Sequence, residues 1–527
     1  MVPTLAISMH GCPRRTAVAA VLAALALAGC AQPPAVHTRC TWVAGRPEPA
    51  FDPQGPPDPL RWSLERLLAR GLTAEDSSGR IVPDAAASLE WSPDSLTLTF
   101  HLRAGLAFAD GTPCGSDDFR RALTAGLSRT DHATQARILG AVRGVDRVRA
   151  GKPVPALGIE APDARTLVLR LVRPDPLLPR RLALPGASAP WSRKGAGWTR
   201  AAGLGAYRAV AEDPGRTLTL ARVGPGAGPD TVAVRFLPGM GRVLWALRAG
   251  SADLVWPVPP GLAPGSLPAG YRLTARRARP PRRLLLVMRT DLPPTLRLPT
   301  RHALAHGLNR ELLLRQLGPR GVELGEWLPG AGRFDFPALD ETLVRDWMAR
   351  AKLGRSFHVV MAYDPDGAGA EVARALQGDW ARLGIYVELR ARRGTRLSAE
   401  LLGGLSHLAL VESQAPDAGA AAELATVVMP PRGPAVGSFK TGWRTREFDA
   451  WLAPRRAGGA PDAAPAQARL AEERVALPLA ELPWVWVERA GAAGTGFHPR
   501  FGPECAGRDA RNGGAGGSPA RPRPVPH

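Results

Sequence analysis

Residues 79–129 read GRIVPDAAASLEWSPDSLTLTFHLRAGLAFADGTPCGSDDFRRALTAGLSR. Leu96, Leu98 and Phe100 alternate with Thr97, Thr99 and His101, the two-residue period of a strand with one face buried. Pro93-Asp94-Ser95 turns the chain into that strand, and Asp110-Gly111-Thr112-Pro113 makes a second turn. Ser116-Asp117-Asp118 then offers an N-cap and first-turn acids for a helix through Phe119, Leu123 and Leu127, because oxygens and negative charge satisfy the free N–H groups of a helix start. Strand, turn and capped helix in so short a span predict an α/β chain.

The same residues in the same order resemble the signature of the extracytoplasmic solute-binding proteins of family 5, the oligopeptide- and dipeptide-binding lipoproteins of ABC transporters. The matching positions are Ser88, Asp94, Leu96, Thr99, Phe100, Leu102, Arg103, Gly105, Phe108, Asp110, Gly111, Thr112, Pro113 and Asp118. Further stretches resemble family motifs: GIEAPDARTLVLRL at 158–171, GLGAY at 203–207, ALRAGSADL at 246–254, RHALAHGLNRELLL at 301–314, GIYVEL at 384–389 and GWRTREFDAWL at 442–452. The likeness runs over about residues 39–499 and implies a two-lobed periplasmic-binding-protein (Venus flytrap) fold with an additional scaffold subdomain. It implies this order: signal peptide 1–29, lobe I 30–60, scaffold 61–155, lobe I again 156–280, lobe II 281–480, return to lobe I 481–505 and a tail at 506–527. Two connecting segments would let the lobes hinge shut on a ligand, and a membrane permease with its ATPase would recognise the closed shape.

The chain has 527 residues, more than one hydrophobic core usually organises. At its start, Arg14 and Arg15 precede an apolar run at 18–27 that is short for a bilayer span and ends in Leu27-Ala28-Gly29-Cys30. That ending resembles a lipobox, which makes Cys30 the expected lipid anchor of an exported protein held at the cell envelope. Of the other cysteines, Cys12 leaves with the leader, and Cys40, Cys114 and Cys505 remain. Export permits disulfides, and the family fold, which returns both ends to one lobe, implies Cys40 with Cys505. The net charge is +21, yet the arginines are dispersed and no aromatic residues interleave with a basic stripe; the densest runs, 276–283 and 390–396, are short. Nucleic acid is therefore not an expected partner.

No G-x-S-x-G elbow, phosphate loop or paired-cysteine metal spacing is present, so neither catalysis nor a cofactor is expected. His302 and His306 share a helix face but lack the glutamate of a zinc protease, and no metal is expected there. The loop containing Pro47, Glu48 and Pro49 resembles the family's E-P-x-x-x-D-P segment beside the ligand, and Trp327 and Trp443 lie near loops where a cleft uses flat apolar walls. One departure from the pattern stands out. Where family members often carry W-x-A-D-Y-x-D-P, with its first aspartate on the ligand's α-amino group, this chain has Glu412-Ser413-Gln414-Ala415-Pro416-Asp417, so a neutral amide, Gln414, replaces the carboxylate and Glu412 or Asp417 is the candidate substitute. The expected function is a monomeric receptor for oligopeptide or dipeptide-like ligands. The alternatives are a non-peptide ligand such as a sugar, metal chelate or opine-like compound, and a surface lipoprotein without transport.

Three local expectations complete the reading: one helix over 301–317, a last helix over 466–479, and a strand at 408–411 that ends before Glu412.

Overall fold

The computed structural model describes residues 38–49, 58–127, 138–149, 157–193, 197–226, 228–403, 405–414, 441–443, 463–492 and 496–504. The chain divides into a unit of residues 1–38 and a unit of residues 39–527, and every element below belongs to the second. Its largest sheet, the frame of lobe I, has seven strands in the order Tyr207–Asp213, Thr217–Arg222, Thr231–Phe236, Arg39–Ala44, Leu254–Val255, Trp484–Arg489, Tyr271–Arg276. Arg39–Ala44 runs parallel to both of its neighbours, and parallel strands need cover on both faces. Cys40, Trp42 and Ala44 pack with Leu60, Leu64 and Leu67 of the helix Pro59–Leu68. Val43 packs instead with Val243, Ala246 and Leu247 of the helix Met240–Arg248. The first helix starts at Pro59 because Asp58 caps it, its Oδ1 accepting from the Arg61 N–H at 3.0 Å.

Gly203 and Gly205 of the GLGAY turn lie against the end of that helix. A Cβ on Gly205 would stand 2.2 Å from the Leu68 carbonyl carbon and 2.3 Å from the Leu67 carbonyl oxygen, and the Gly205 N–H donates to Leu68 O at 2.9 Å. Gly205→Ala is therefore expected to cost about 3 kcal/mol, the upper range for overpacking, seen as a lower urea midpoint. An unchanged midpoint would mean that the helix end shifts freely.

The scaffold is an antiparallel sheet in the order Ala86–Trp91, Thr97–Leu102, Thr166–Arg170, Ile159–Asp163. Leu98, Phe100 and Leu102 form the buried set of its second strand, and the helix Ser116–Ala125 adds Phe119 and Leu123 to the same core. That helix is capped at Gly115, one residue before the expected position, with the Gly115 N–H donating to Asp118 Oδ2 at 2.8 Å. The expected scaffold limits, 61 and 155, are both displaced. Helix Pro59–Leu68 belongs to the lobe I core, whereas Ile159–Asp163 and Thr166–Arg170 pair into the scaffold sheet, with Leu167 and Leu169 beside Leu98 and Phe100. Pairing between distant strands sets these limits, and local turn punctuation does not report it.

Lobe II is built on five strands in the order Ile385–Ala391, Phe357–Tyr363, Leu408–Gln414, Arg282–Met288, Ala476–Glu481. Leu284 through Met288 are fully buried, the mark of a strand covered on both faces. The helix expected over 301–317 is two, Leu298–His306 and Arg310–Leu317. Asn309 caps the second, its side-chain oxygen accepting from the Leu312 N–H at 3.0 Å, and Gly307 lies against the Trp380 indole, where a Cβ would come within 3.0 Å of Nε1. The helix expected over 466–479 is Ala464–Glu473, and Ala476–Glu481 is a strand. Arg474 turns the chain at φ 49°. Pro478, which breaks helices, is tolerated because this strand lies at the sheet edge, with a register shift opposite it.

Candidate ligand cleft

Tyr271–Arg276 of lobe I leads through residues 277–281 into Arg282–Met288 of lobe II, and Ala476–Glu481 returns through Leu482 and Pro483 into Trp484–Arg489. Arg276 lies opposite Trp484 in one sheet and Arg283 opposite Glu481 in the other. The two short crossovers therefore run side by side. The Leu482 N–H ties them, donating to Arg282 O at 2.8 Å. The Arg282 guanidinium sits 4.0 Å from the centre of the Trp484 ring and ends on Glu412, with Nη2 to Oε2 at 2.6 Å. Trp484 is followed by Trp256 at 5.8 Å and Trp42 at 6.0 Å between ring centres, so one crossover is anchored on an aromatic column of the lobe I core.

In open sheets with parallel strands, ligand sites form at the carboxyl ends of those strands. From lobe I, Arg46 follows Arg39–Ala44 and pairs with Asp58 at 2.8 Å. From lobe II, Asp364 follows Phe357–Tyr363, and its Oδ1 accepts from the Asp366 N–H at 3.0 Å. Among the described residues, no cation lies within ion-pair distance of Asp364. Burial pushes its carboxyl up to about 6; the Asp366 N–H and the Arg46 charge oppose this rise, and the charges of Glu412 and Asp366 add to it. Arg46 thus acts on Asp364 across the two lobes. A second approach lies at Gly261 of lobe I, where a Cβ would stand 4.0 Å from Oε1 of Glu371, a lobe II residue paired with Arg320.

Glu412 and Gln414 lie in the strand Leu408–Gln414, which extends three residues past its expected end, opposite Leu284 and Arg282. Both are engaged there. Glu412 accepts from Arg282 and, through Oε1, from the Ala368 N–H at 2.7 Å, at the start of the helix Gly369–Arg382. The Gln414 amide donates to Pro280 O at 2.9 Å and Arg500 O at 3.4 Å, joining its strand to a crossover and to the return segment. Glu48 is held by the lobe I hairpin, its Oε2 accepting from the Gly215 N–H at 2.6 Å, and burial raises its carboxyl; Pro47 beside it is exposed and Pro49 buried. Trp327 and Trp443, expected at a cleft wall, belong to the lobe II core, where Trp327 packs edge-on to Phe334 at 5.7 Å. Cys40 is disulfide-bonded and Cys114 is a free thiol, while Asp417, Cys30 and Cys505 lie outside the described residues.

Glu412 and Gln414 thus come together at the crossover, with Asp364 near Glu412 and the Arg46 charge acting on Asp364, and those last two were not singled out from the sequence. A signal for Asp364 existed. Asp364-Pro365-Asp366-Gly367 is a turn placed directly after an apolar strand and before a helix, the position where α/β units carry their ligand groups.

Residues 80–424 match the model of the bacterial extracellular solute-binding proteins, family 5 middle region. The periplasmic oligopeptide-binding protein OppA of Escherichia coli is 32% identical over 129 residues, which make up 24% of either chain, so the chain aligns with about a quarter of that relative's length. Among solved structures, the pheromone receptor PrgZ, described with its mode of peptide binding, superposes with a TM-score of 0.74 at 17% identity, covering 89% of this chain and 98% of that one. The binding protein AgaA of A. tumefaciens R10, in complex with agropinic acid, gives 0.72 at 18% identity, covering 88% and 96%. These likenesses show the two-lobed fold.

Proposed function

The chain belongs to the family 5 bacterial extracellular solute-binding proteins, and from that premise we propose that it is an exported receptor that captures short peptides between its lobes and delivers them to an ABC-type permease and ATPase. The observation that carries this reading is the pair of adjacent crossovers between the two sheets, whose connecting segments are tied by the Leu482 N–H donating to Arg282 O at 2.8 Å. Two short, parallel connections allow rotation of one lobe on the other with little change elsewhere, which is hinge closure.

Asp364 is the group assigned to the ligand's ammonium. Gln414 and Glu412 are engaged at the crossover, whereas Asp364 is a half-buried carboxylate with no cation at ion-pair distance among the described residues. A ligand ammonium would supply the missing charge. Main-chain groups of the cleft strands would hold the peptide backbone, and water would accommodate its side chains, so tight binding and broad tolerance coexist. Cys30, acylated after removal of residues 1–29, anchors the receptor at the envelope. It works as a monomer, with peptide bound and released intact.

A thermal-shift screen tests the reading. Tri- to pentapeptides at a hundredfold excess over Kd are expected to add about 2.7 kcal/mol to stability, with sugars and metal chelates silent and peptides recovered uncleaved. A flat response to all peptides overturns it, and cleavage of the peptides overturns the non-catalytic part. A second reading, a non-peptide ligand, is favoured by the neutral, engaged Gln414 and by the likeness to AgaA. In the same screen it requires a response to agropinic acid, sugars or chelates without one to peptides.

A further inference from the structure

The lobe I helix Met240–Arg248 buries Val243, Ala246 and Leu247 and turns its other side outward, where Arg242, Trp245 and Arg248 follow one another at three-residue spacing. Trp245 is 63% exposed, more than any other described aromatic side chain, although an indole carries one of the largest apolar surfaces in a protein. The sheet continues this surface. Val43 packs beneath the helix, and Arg39 lies four residues earlier in the same strand, so Arg39 shares the face that the helix covers. Arg39 is level with Thr231, Thr231 with Ala221 and Ala221 with Arg208, which puts Arg208 on that face too. The helix ends beside the start of this strand: the Asp253 N–H donates to Thr41 O and the Thr41 N–H to Asp253 Oδ2, both at 2.8 Å.

Charge on this face is one-sided. Arg39, Arg208, Arg242 and Arg248 are exposed, and none has a carboxylate at ion-pair distance among the described residues. The helix itself contains no acid, and Asp253 beyond its end is matched by Arg489 at 3.2 Å. An exposed indole among unmatched guanidinium groups suits a surface of lipid phosphates, where the forks take the oxygens and the ring enters the interface. The course of the chain favours a bilayer over a protein partner. Cys30 precedes Arg39 by nine residues, which span at most about 32 Å when fully extended. An acyl anchor at Cys30 therefore holds this end of the sheet close to the membrane, while Arg46, on the cleft side, follows the opposite end of the same strand.

We infer that Arg39, Arg208, Arg242, Trp245 and Arg248 form a docking face for an anionic lipid bilayer, on which the anchored receptor rests with its cleft clear of the contact. The inference goes beyond ligand capture and rests on the exported, anchored reading for its tether.

Sedimentation with lipid vesicles tests it, on the chain from residue 30 in two forms, acylated and with Cys30→Ser. The Cys30→Ser form is expected to bind vesicles of equimolar phosphatidylcholine and phosphatidylglycerol at least ~10-fold tighter than phosphatidylcholine alone, with the gain lost as salt rises. Arg242→Glu with Arg248→Glu, and separately Trp245→Ser, are each expected to weaken that binding ~10-fold or more, and Trp245→Phe to keep most of it. Arg355→Glu with Arg374→Glu makes the same charge change on exposed lobe II arginines that have no ion-pair partner among the described residues, and is expected to leave binding within about twofold. Equal losses from both arginine pairs, an unaffected Trp245→Ser, or no preference for the anionic vesicles overturns the docking face. Losses seen only when the vesicles carry the permease also overturn it and assign the face to a protein partner. An acylated form that does not bind phosphatidylcholine vesicles overturns the anchor instead, while the Cys30→Ser result still decides the face.

Discussion

Asp364→Asn is expected to make the protein more stable at pH 7 and a poorer receptor. The stability half follows from linkage. Unfolded, this carboxyl loses its proton near 3.8; folded, burial holds it to about 6. Between pH 4 and 6 the folded state binds more protons than the unfolded one, so stability falls as pH rises through that window and the loss is complete above it. A shift of this size is worth on the order of 2–3 kcal/mol, which Asn at 364 would return at neutral pH while flattening the slope between pH 4 and 6. The binding half has the opposite sign. Removing one partner of a buried charge pair costs about 2 kcal/mol or more, so peptide affinity should fall at least ~30-fold. Denaturation from pH 3.5 to 8 together with calorimetry checks both. A variant that gains stability and binds peptide as well as the parent would remove Asp364 from the site, and loss of both would make it a structural residue.

A loss of about 3–5 kcal/mol is expected for Glu75→Ala. Glu75 ends the strand Thr73–Glu75, and its Oε2 holds Arg500 Nη1 at 2.5 Å and Arg180 Nη1 at 3.3 Å, with Glu75 and Arg500 both almost wholly buried. His498 bonds the Glu75 carbonyl at 3.0 Å through Nε2. These contacts fasten residues 498–500, the return segment, to a strand more than four hundred positions earlier. Truncating Glu75 removes the carboxylate that faces the buried Arg500 guanidinium, which is where the cost arises. Replacing both buried partners, as Glu75→Leu with Arg500→Met, is expected to recover most of the loss, because the guanidinium that stays, Arg180, is partly exposed and keeps its bond to Gly79 O at 3.0 Å. Urea unfolding followed by hydrogen exchange at residues 496–504 measures it. A loss below about 1 kcal/mol in the single variant would mean that water reaches the site and screens it.

Much of the architecture was legible wherever local chemistry and tertiary pairing agree. The alternation before Phe100, the acids after Gly115 and the fully apolar strand at 284–288 each report their own burial, because period and capping depend on near neighbours alone. Legibility failed where a distant partner decides. Pro478 sits in a strand because Arg282–Met288 accepts it at a sheet edge, and residues 159–170 join the scaffold because Thr97–Leu102 pairs with them. At the cleft, the departure at Gln414 was visible, but its use was not. An amide spent on Pro280 and Arg500 carbonyls can be read only once a crossover has been placed beside it. Asp364 went unnoticed because a carboxylate in a D-P-D-G turn is ordinary, and it becomes unusual only when the fold takes it partly out of water.

The central claim is that ligand closes two lobes about the paired crossovers, and the distance between the lobes tests it most directly. Spin labels at Arg216→Cys, in the exposed turn of the lobe I hairpin, and Arg345→Cys, on the lobe II helix Glu341–Arg350, in a Cys114→Ser background, report that distance by pulsed electron resonance. Saturating tetrapeptide is expected to shift the distribution to one narrow population. A distribution that stays the same while calorimetry shows peptide bound would contradict closure.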